Sequence, residues 1–200
     1  ESTVAKGFYE GVIDLRTEDG SDVEFKFCIK PEWGDDFGGI VEVSTFAGEY
    51  ASATGAVGAP NNIKVPSGIY NIALNKKLNT IYMVELGTLG VIGTAVGGWS
   101  SDIDLAYDAE KQTFSAPVDI VPGEFKFRFN DDWTHSMGGH SLNNVSTTIG
   151  NNLNYDGPEG NFKIVLNVSK TPYTVTFINT AYPDNLYIPG NHQGWNPGTA

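Results

Sequence analysis

The sequence is short of cations, sulfur and long apolar runs. Its 200 residues hold 12 Lys+Arg against 24 Asp+Glu, a formal net charge of -12, and no basic run. Nucleic-acid binding rests on Lys and Arg neutralising phosphates, so this chain carries no electrostatic footprint for nucleic acid. The single cysteine, Cys28, cannot form an internal disulfide and reads as a passive strand residue. No CxxC, HExxH or other His/Cys grouping has metal-ligand spacing, so neither a disulfide framework, a metal site nor a cofactor is expected. Apolar stretches last only a few residues, far short of the roughly 20 that a membrane-crossing helix needs. The first residue is Glu1, and no signal-like segment with a charged start and an apolar centre follows it. The chain is therefore expected to be a piece of a longer protein.

What is plentiful is glycine and aromatics: 24 Gly, with 4 Trp, 9 Tyr and 11 Phe. They fall in a repeating order. Glu24-Phe25-Lys26-Phe27, Trp33 and Gly38-Gly39 return as Glu124-Phe125-Lys126-Phe127, Trp133 and Gly138-Gly139, about 100 residues on. Pro66-Ser67-Gly68-Ile69-Tyr70 is matched by Pro158-Glu159-Gly160-Asn161-Phe162. Leu89-Gly90-Val91-Ile92-Gly93 with Gly98-Trp99 is matched by Leu186-Tyr187-Ile188-Pro189-Gly190 with Gly194-Trp195. Three pairs in one order fix a phase. Residues 1–86 form a unit lacking its first strand, residues 87–182 a complete unit, and residues 183–200 the first strand of a third.

Within each unit the pattern is that of strands. Glu124, Lys126 and Arg128 alternate with Phe125, Phe127 and Phe129, the period-two signature of a strand with one buried face. Further strands are expected at Phe8 to Leu15, Ile40 to Phe46, Ile69 to Leu74, Ile81 to Leu86, Leu89 to Ile92, Ile103 to Tyr107, Val118 to Val121, Phe162 to Val168 and Tyr173 to Ile178. Each is short and bounded by Gly, Pro, Asn or Asp, and no stretch of a dozen residues keeps a 3.6-residue period. The expected fold is all-β, a tandem of immunoglobulin-like antiparallel β-sandwiches.

Catalytic signals are sparse. Asp35-Asp36 and Asp131-Asp132 could supply the carboxyl pair of a glycosidase, but adjacent carboxylates in polar loops are commonly solvated turn residues. There is no G-x-S-x-G elbow, P-loop or dinucleotide turn. His135, His140 and His192 lie in loop-like stretches without ligand spacing. No enzymatic activity is expected.

The tryptophans say more. Trp33 and Trp133 follow the Phe-Lys-Phe strand, while Trp99 and Trp195 close the Gly-rich segment. Large aromatics in polar, loop-like surroundings are costly to expose unless something covers them. A sugar ring is such a cover, its C–H face lying on the indole and its hydroxyls seeking Lys, Arg, Asn or Asp. In the complete unit Lys126, Arg128, Asn130, Asp131 and Asp132 lead into Trp133. With Trp99 on the same side, they would make a shallow platform. The competing reading has one or both indoles plugging the end of a structural or adhesive sandwich that has no sugar site.

These residues carry a resemblance. Leu186 to Pro197, and Gly123-Glu124-Phe125-Lys126-Phe127-Arg128-Phe129-Asn130-Asp131-Asp132-Trp133 with Gly138-Gly139, resemble the repeated modules of SusE/SusF-type outer-membrane lipoproteins of starch utilisation. The resemblance implies non-catalytic binding of starch, maltooligosaccharide or another glycan. It also implies other outer-membrane glycan-uptake proteins as partners, and display on the cell surface through an N-terminal lipid anchor outside this sequence. By similarity to the related glycogen-binding modules of AMP-activated kinase β subunits, the sugar site would use Trp99, Lys126 and Trp133, and the SusE/SusF likeness adds Arg128. In the first copy Cys28 stands where Arg128 does and Lys30 where Asn130 does, while Lys26 and Trp33 are kept. That copy offers a partial site, and the last copy only Trp195.

Overall fold

The structure is a computed structural model that describes residues 7–28, 31–33, 36–39, 51–57, 61–75, 80–181 and 189–196. The expected strand at Ile40 to Phe46, the third-copy strand at Leu186 to Ile188, and Lys30 and Asp35 lie outside the described residues. The helical turns described are two three-residue 3-10 turns, Thr94–Val96 and Asn191–Gln193. No helix among the described residues is long and apolar enough to cross a membrane.

Strands occupy most of the rest, as the alternating sequence requires. The N-terminal half supplies β1 (Phe8–Asp14), β2 (Val23–Phe25), β3 (Phe27–Cys28), β4 (Asp36–Gly39), β5 (Ala51–Val57), β6 (Ile63–Val65), β7 (Ile69–Asn75) and β8 (Thr80–Glu85). Six of them form one sheet in the order β1-β7-β8-β5-β4-β3, and β2 pairs with β6. The next stretch supplies β9 (Leu89–Gly93), β10 (Gly98–Asp104), β11 (Ala106–Asp108), β12 (Thr113–Ile120), β13 (Gly123–Phe129), β14 (Asp132–Ser141), β15 (Asn144–Ser146), β16 (Leu153–Tyr155), β17 (Gly160–Asn167) and β18 (Thr174–Asn179). These make an antiparallel sandwich. One sheet runs β10-β9-β13-β14-β15 with β16 also on β13, and the other runs β11-β12-β17-β18.

The period-two pattern of β13 decides what lies between the sheets. Phe125, Phe127 and Phe129 point into the core, where they meet Leu89 and Val91 of β9 and Phe114, Val118, Ile164 and Leu166 of the facing sheet. Phe125 and Phe127 pack edge to face at 5.8 Å. Lys126 and Arg128, between them in sequence, take the outer face. The same alternation drives β12 and β17, whose inward residues alternate with exposed Pro117, Asp119, Asn161 and Lys163.

Pairing registers recur along the chain. Phe27 pairs with Phe37 in β3–β4, and Phe127 pairs with Met137 in β13–β14. Phe25 pairs with Ile63, and Phe125 with Leu153. In the first case the strand is divided into β2 and β3 at Lys26, whereas β13 is continuous and makes both pairings. Among the described residues β3 ends its sheet, while β13 has β9 alongside.

The two halves touch through β1. Val12 is buried in the same cluster as the sandwich core. Two positions earlier, the Glu10 carboxylate accepts hydrogen bonds from Ser146 Oγ at 2.6 Å, Thr147 Oγ1 at 2.5 Å and Thr147 N–H at 3.1 Å.

One long strand was not expected. β14 contains Trp133, His135 and Gly138-Gly139, a polar and glycine-rich run that reads as loop. It is a strand through its antiparallel pairing with β13 on one side and β15 on the other, and its glycine answers to a neighbouring segment that crosses it closely. A Cβ on Gly138 would stand only 2.0 Å from the Asn151 carbonyl oxygen, so a side chain is excluded there for steric reasons.

Two outcomes follow from this core. Phe127 is fully buried, and Phe127→Ala should cost about 3–5 kcal/mol in urea unfolding. Tyr70 is buried with its phenol donating to the Pro66 carbonyl at 2.8 Å, and burial, aided by Glu85 and Asp22, pushes its pKa up to about 12. A phenol that ionises later in the folded state stabilises fully below its unfolded pKa of about 10 and loses that contribution as pH rises through its folded value. The urea midpoint should therefore fall between about pH 10 and 12, and Tyr70→Phe should flatten the fall.

Candidate functional site

Trp99 and Trp133 are not in loops, as their polar neighbours suggested, but on strands β10 and β14. Trp99 is 36% exposed and Trp133 48%, so neither is a core plug. Their ring centroids are 6.0 Å apart and the planes are inclined by 42°, an open V on the outer face of the sheet.

Irregularities in both strands make this possible. Trp99 and Asp102 are three residues apart and would face opposite sides of a regular strand. The β10–β9 register shifts between Gly98 and Ile103, and the β13–β14 register shifts between Arg128 and Phe129. Bulges of this kind re-aim side chains. Here they bring Trp99 and Asp102 to one face and swing Trp133 over β13.

Beneath the V lies a buried ion pair. Arg128 Nε donates to both Asp102 carboxylate oxygens at 2.8 and 2.7 Å, and Nη2 donates to Oδ1 at 2.5 Å. The side chains are only 10% and 2% exposed. The guanidinium carbon stands 4.7 Å from the Trp133 ring centroid, a cation–π contact covering one face of the indole. Hydrogen bonding to Asp102 raises the Arg128 pKa above its ordinary value. The pair meets over Gly90, where a Cβ would come within 2.5 Å of Asp102 Cβ.

The other expected residues fall into place around this floor. Lys126 shares the outer face of β13 and donates Nζ–H to the Gly150 carbonyl at 2.8 Å, and burial pulls its pKa below the ordinary lysine value. Asn130 adopts a left-handed φ of 52° in the β13–β14 turn. Its Oδ1 accepts from Gly87 N–H and Thr88 N–H at 2.9 and 3.0 Å, and its Nδ2 donates to the Glu85 carbonyl at 2.8 Å. The Asn130 amide thus binds the link between β8 and β9. In the N-terminal half Lys26 holds Asp36 at 2.6 Å, and Trp33 is 80% exposed. Trp195 is 70% exposed in a turn closed by its own N–H on the Gly190 carbonyl.

Asp102 and Gly90 were not singled out from the sequence. The available signal was Asp102 in the strand-like run Ser100 to Asp104, since Asp is a poor strand former. Asp132, one of the candidate carboxylates, accepts from Thr134 N–H at 2.7 Å, and bonding to Thr134 holds its carboxyl below the usual range. A glycosidase acid needs the opposite shift.

Because the floor depends on Gly90 having no side chain, Gly90→Ala should displace the Asp102 carboxylate. The expected cost is about 1–3 kcal/mol, read by urea unfolding, together with a changed near-ultraviolet circular dichroism signal from the two indoles.

No family model and no curated protein matches the chain. Among solved structures it is similar to SusF from Bacteroides thetaiotaomicron, with 17% sequence identity and a TM-score of 0.34. The match covers 98% of this chain and 47% of that one, so this chain spans about half the length of that protein.

Proposed function

We propose that the protein binds starch or a related glycan without catalysis, on the platform made by Trp99 and Trp133. The observation that carries this reading is the pair of partly exposed indoles, 6.0 Å apart and inclined by 42°, on the outer face of a β-sandwich. Two rings held at an angle suit a chain that curves from one sugar to the next, as an α-linked glucan does, better than a flat ribbon. Adjacent exposed aromatics of this size mark binding surfaces. Polar contacts come from Lys126 at the edge of the platform and from Asp131 and Asp132 beside Trp133. Arg128 and Asn130 support the site from beneath and behind: Arg128 is buried against Asp102, and both ends of the Asn130 amide are bonded to the link between β8 and β9, whereas Lys126 and Asp132 keep donors and acceptors to spare.

The chain is organised in this proposal as tandem modules: residues 1–86, a complete module at 87–182, and the start of a third at 183–200. The recurring registers Phe27–Phe37 and Phe127–Met137 support it. The parent protein is displayed on the outer membrane by a lipid anchor upstream, beside other glycan-uptake proteins. A shallow site binds weakly, on the order of 0.1 to 1 mM. Several modules held together raise retention through effective concentration. Lys26, Trp33 and Trp195 are candidates for partial sites.

Tryptophan fluorescence titrated with maltoheptaose tests the reading. The wild type should saturate in the range given, and Trp99→Ala should abolish the response while keeping its urea midpoint. No saturable response in the wild type, or an unchanged one in Trp99→Ala, would sink it.

A further inference from the structure

The two platform tryptophans stand on strands that are not neighbours. In the sheet order, β9 and β13 separate β10 from β14, so the two backbones lie on the order of 14 Å apart at about 4.8 Å per strand. The rings nevertheless approach to 6.0 Å. Both indoles lean inward, and the contact that spans the gap beneath them is the Asp102–Arg128 pair over Gly90. Asp102 shares β10 with Trp99, and Arg128 lies against Trp133. The pair therefore ties the strand of one ring to the face of the other.

The pair also sets the charge of the floor. An unmatched guanidinium at an aromatic face would be a strong partner for a carboxylate. Here three N–H···O contacts from Arg128 go to Asp102. Lys126 Nζ spends one of its three donors on the Gly150 carbonyl and keeps its charge, so it is present in every variant compared below. Around the rim, Asp104 and Asp131 are exposed, and bonding to Thr134 favours the ionised form of Asp132. The platform is charge-matched beneath, and at its edge the carboxylates Asp104, Asp131 and Asp132 outnumber the one cation, Lys126.

We propose that Asp102 is the specificity-determining residue of this platform. By matching the charge of Arg128 it makes a floor that accepts uncharged glycans and turns away uronate-bearing ones, and by fixing the guanidinium it holds Trp133 at its angle to Trp99. Asp102 acts through Arg128, so it is a positioning residue. The inference rests on the glycan-binding reading above.

The test titrates the wild type and Asp102→Asn with maltoheptaose and with a galacturonate heptamer, following tryptophan fluorescence. The exciton band of the indole pair in circular dichroism is recorded alongside. The wild type should bind the uronate at least about tenfold more weakly than maltoheptaose. Asp102→Asn should gain at least about tenfold for the uronate at low salt, lose that gain at high salt, and show an altered exciton band. The double variant Asp102→Asn/Arg128→Gln has no guanidinium to expose, so it should gain no uronate binding. It should still lose the exciton band and about tenfold in maltoheptaose affinity, which keeps the claim testable should the single variant not fold. Equal wild-type affinity for the two sugars, or an unchanged preference in Asp102→Asn, overturns the proposal. So does an unchanged band and affinity in the double variant. A wild type that responds to neither sugar contradicts the glycan-binding reading instead.

Discussion

The platform depends on one contact, the ion pair between Asp102 and Arg128 across the bare backbone of Gly90. Burying two charges is expensive unless geometry and extra hydrogen bonds recover the lost hydration. Here the carboxylate takes three N–H···O contacts, and the guanidinium has an indole face on its other side. Losing either partner would leave an uncompensated charge under the rings. The register that sets Gly90 between Asp104 and Arg128 is therefore as much a part of the site as the tryptophans.

That register is supplied by the sandwich. The three phenylalanines of β13 anchor the strand in the core, and alternation then forces Lys126 and Arg128 outward. The facing sheet carries no site residue, yet it supplies Phe114, Val118, Ile164 and Leu166 against which those phenylalanines pack. Irregularities in β10 and β14 then do what a regular pleat cannot, turning two tryptophans toward each other. At the edge of the sandwich, Glu10 bonds Ser146 and Thr147, so the N-terminal half is held to β15 by side chains as well as by the chain itself.

Much of this was legible in the sequence, and what was missed has physical reasons. The alternation in Glu124 to Phe129 announced a strand with one wet face, and the repeated Phe-Lys-Phe segments announced recurring pairings. Trp99 and Trp133 were recognised as surface aromatics but read as loop residues, because strands facing solvent are flanked by the same Ser, Asp and Thr that fill loops. β14 was invisible because Gly138 answers to a chain crossing from Asn151, a contact no local pattern encodes. Asn130 looked like a sugar ligand. Its left-handed φ and its bonds to Glu85, Gly87 and Thr88 are properties of a turn that pins a connection some forty residues earlier. Asp102 and Arg128 are distant in sequence, and their meeting depends on which strand lies between them. The joint at Glu10 spans a still longer separation and left no trace.

The central claim is that Trp99 and Trp133 together form a sugar-binding surface. Its most direct measurement follows the four indole N–H resonances in a proton–nitrogen correlation spectrum while maltoheptaose is added. The account predicts that the Trp99 and Trp133 signals shift together along one saturable curve. Indole signals of Trp99 and Trp133 that stay fixed at saturating sugar would contradict it.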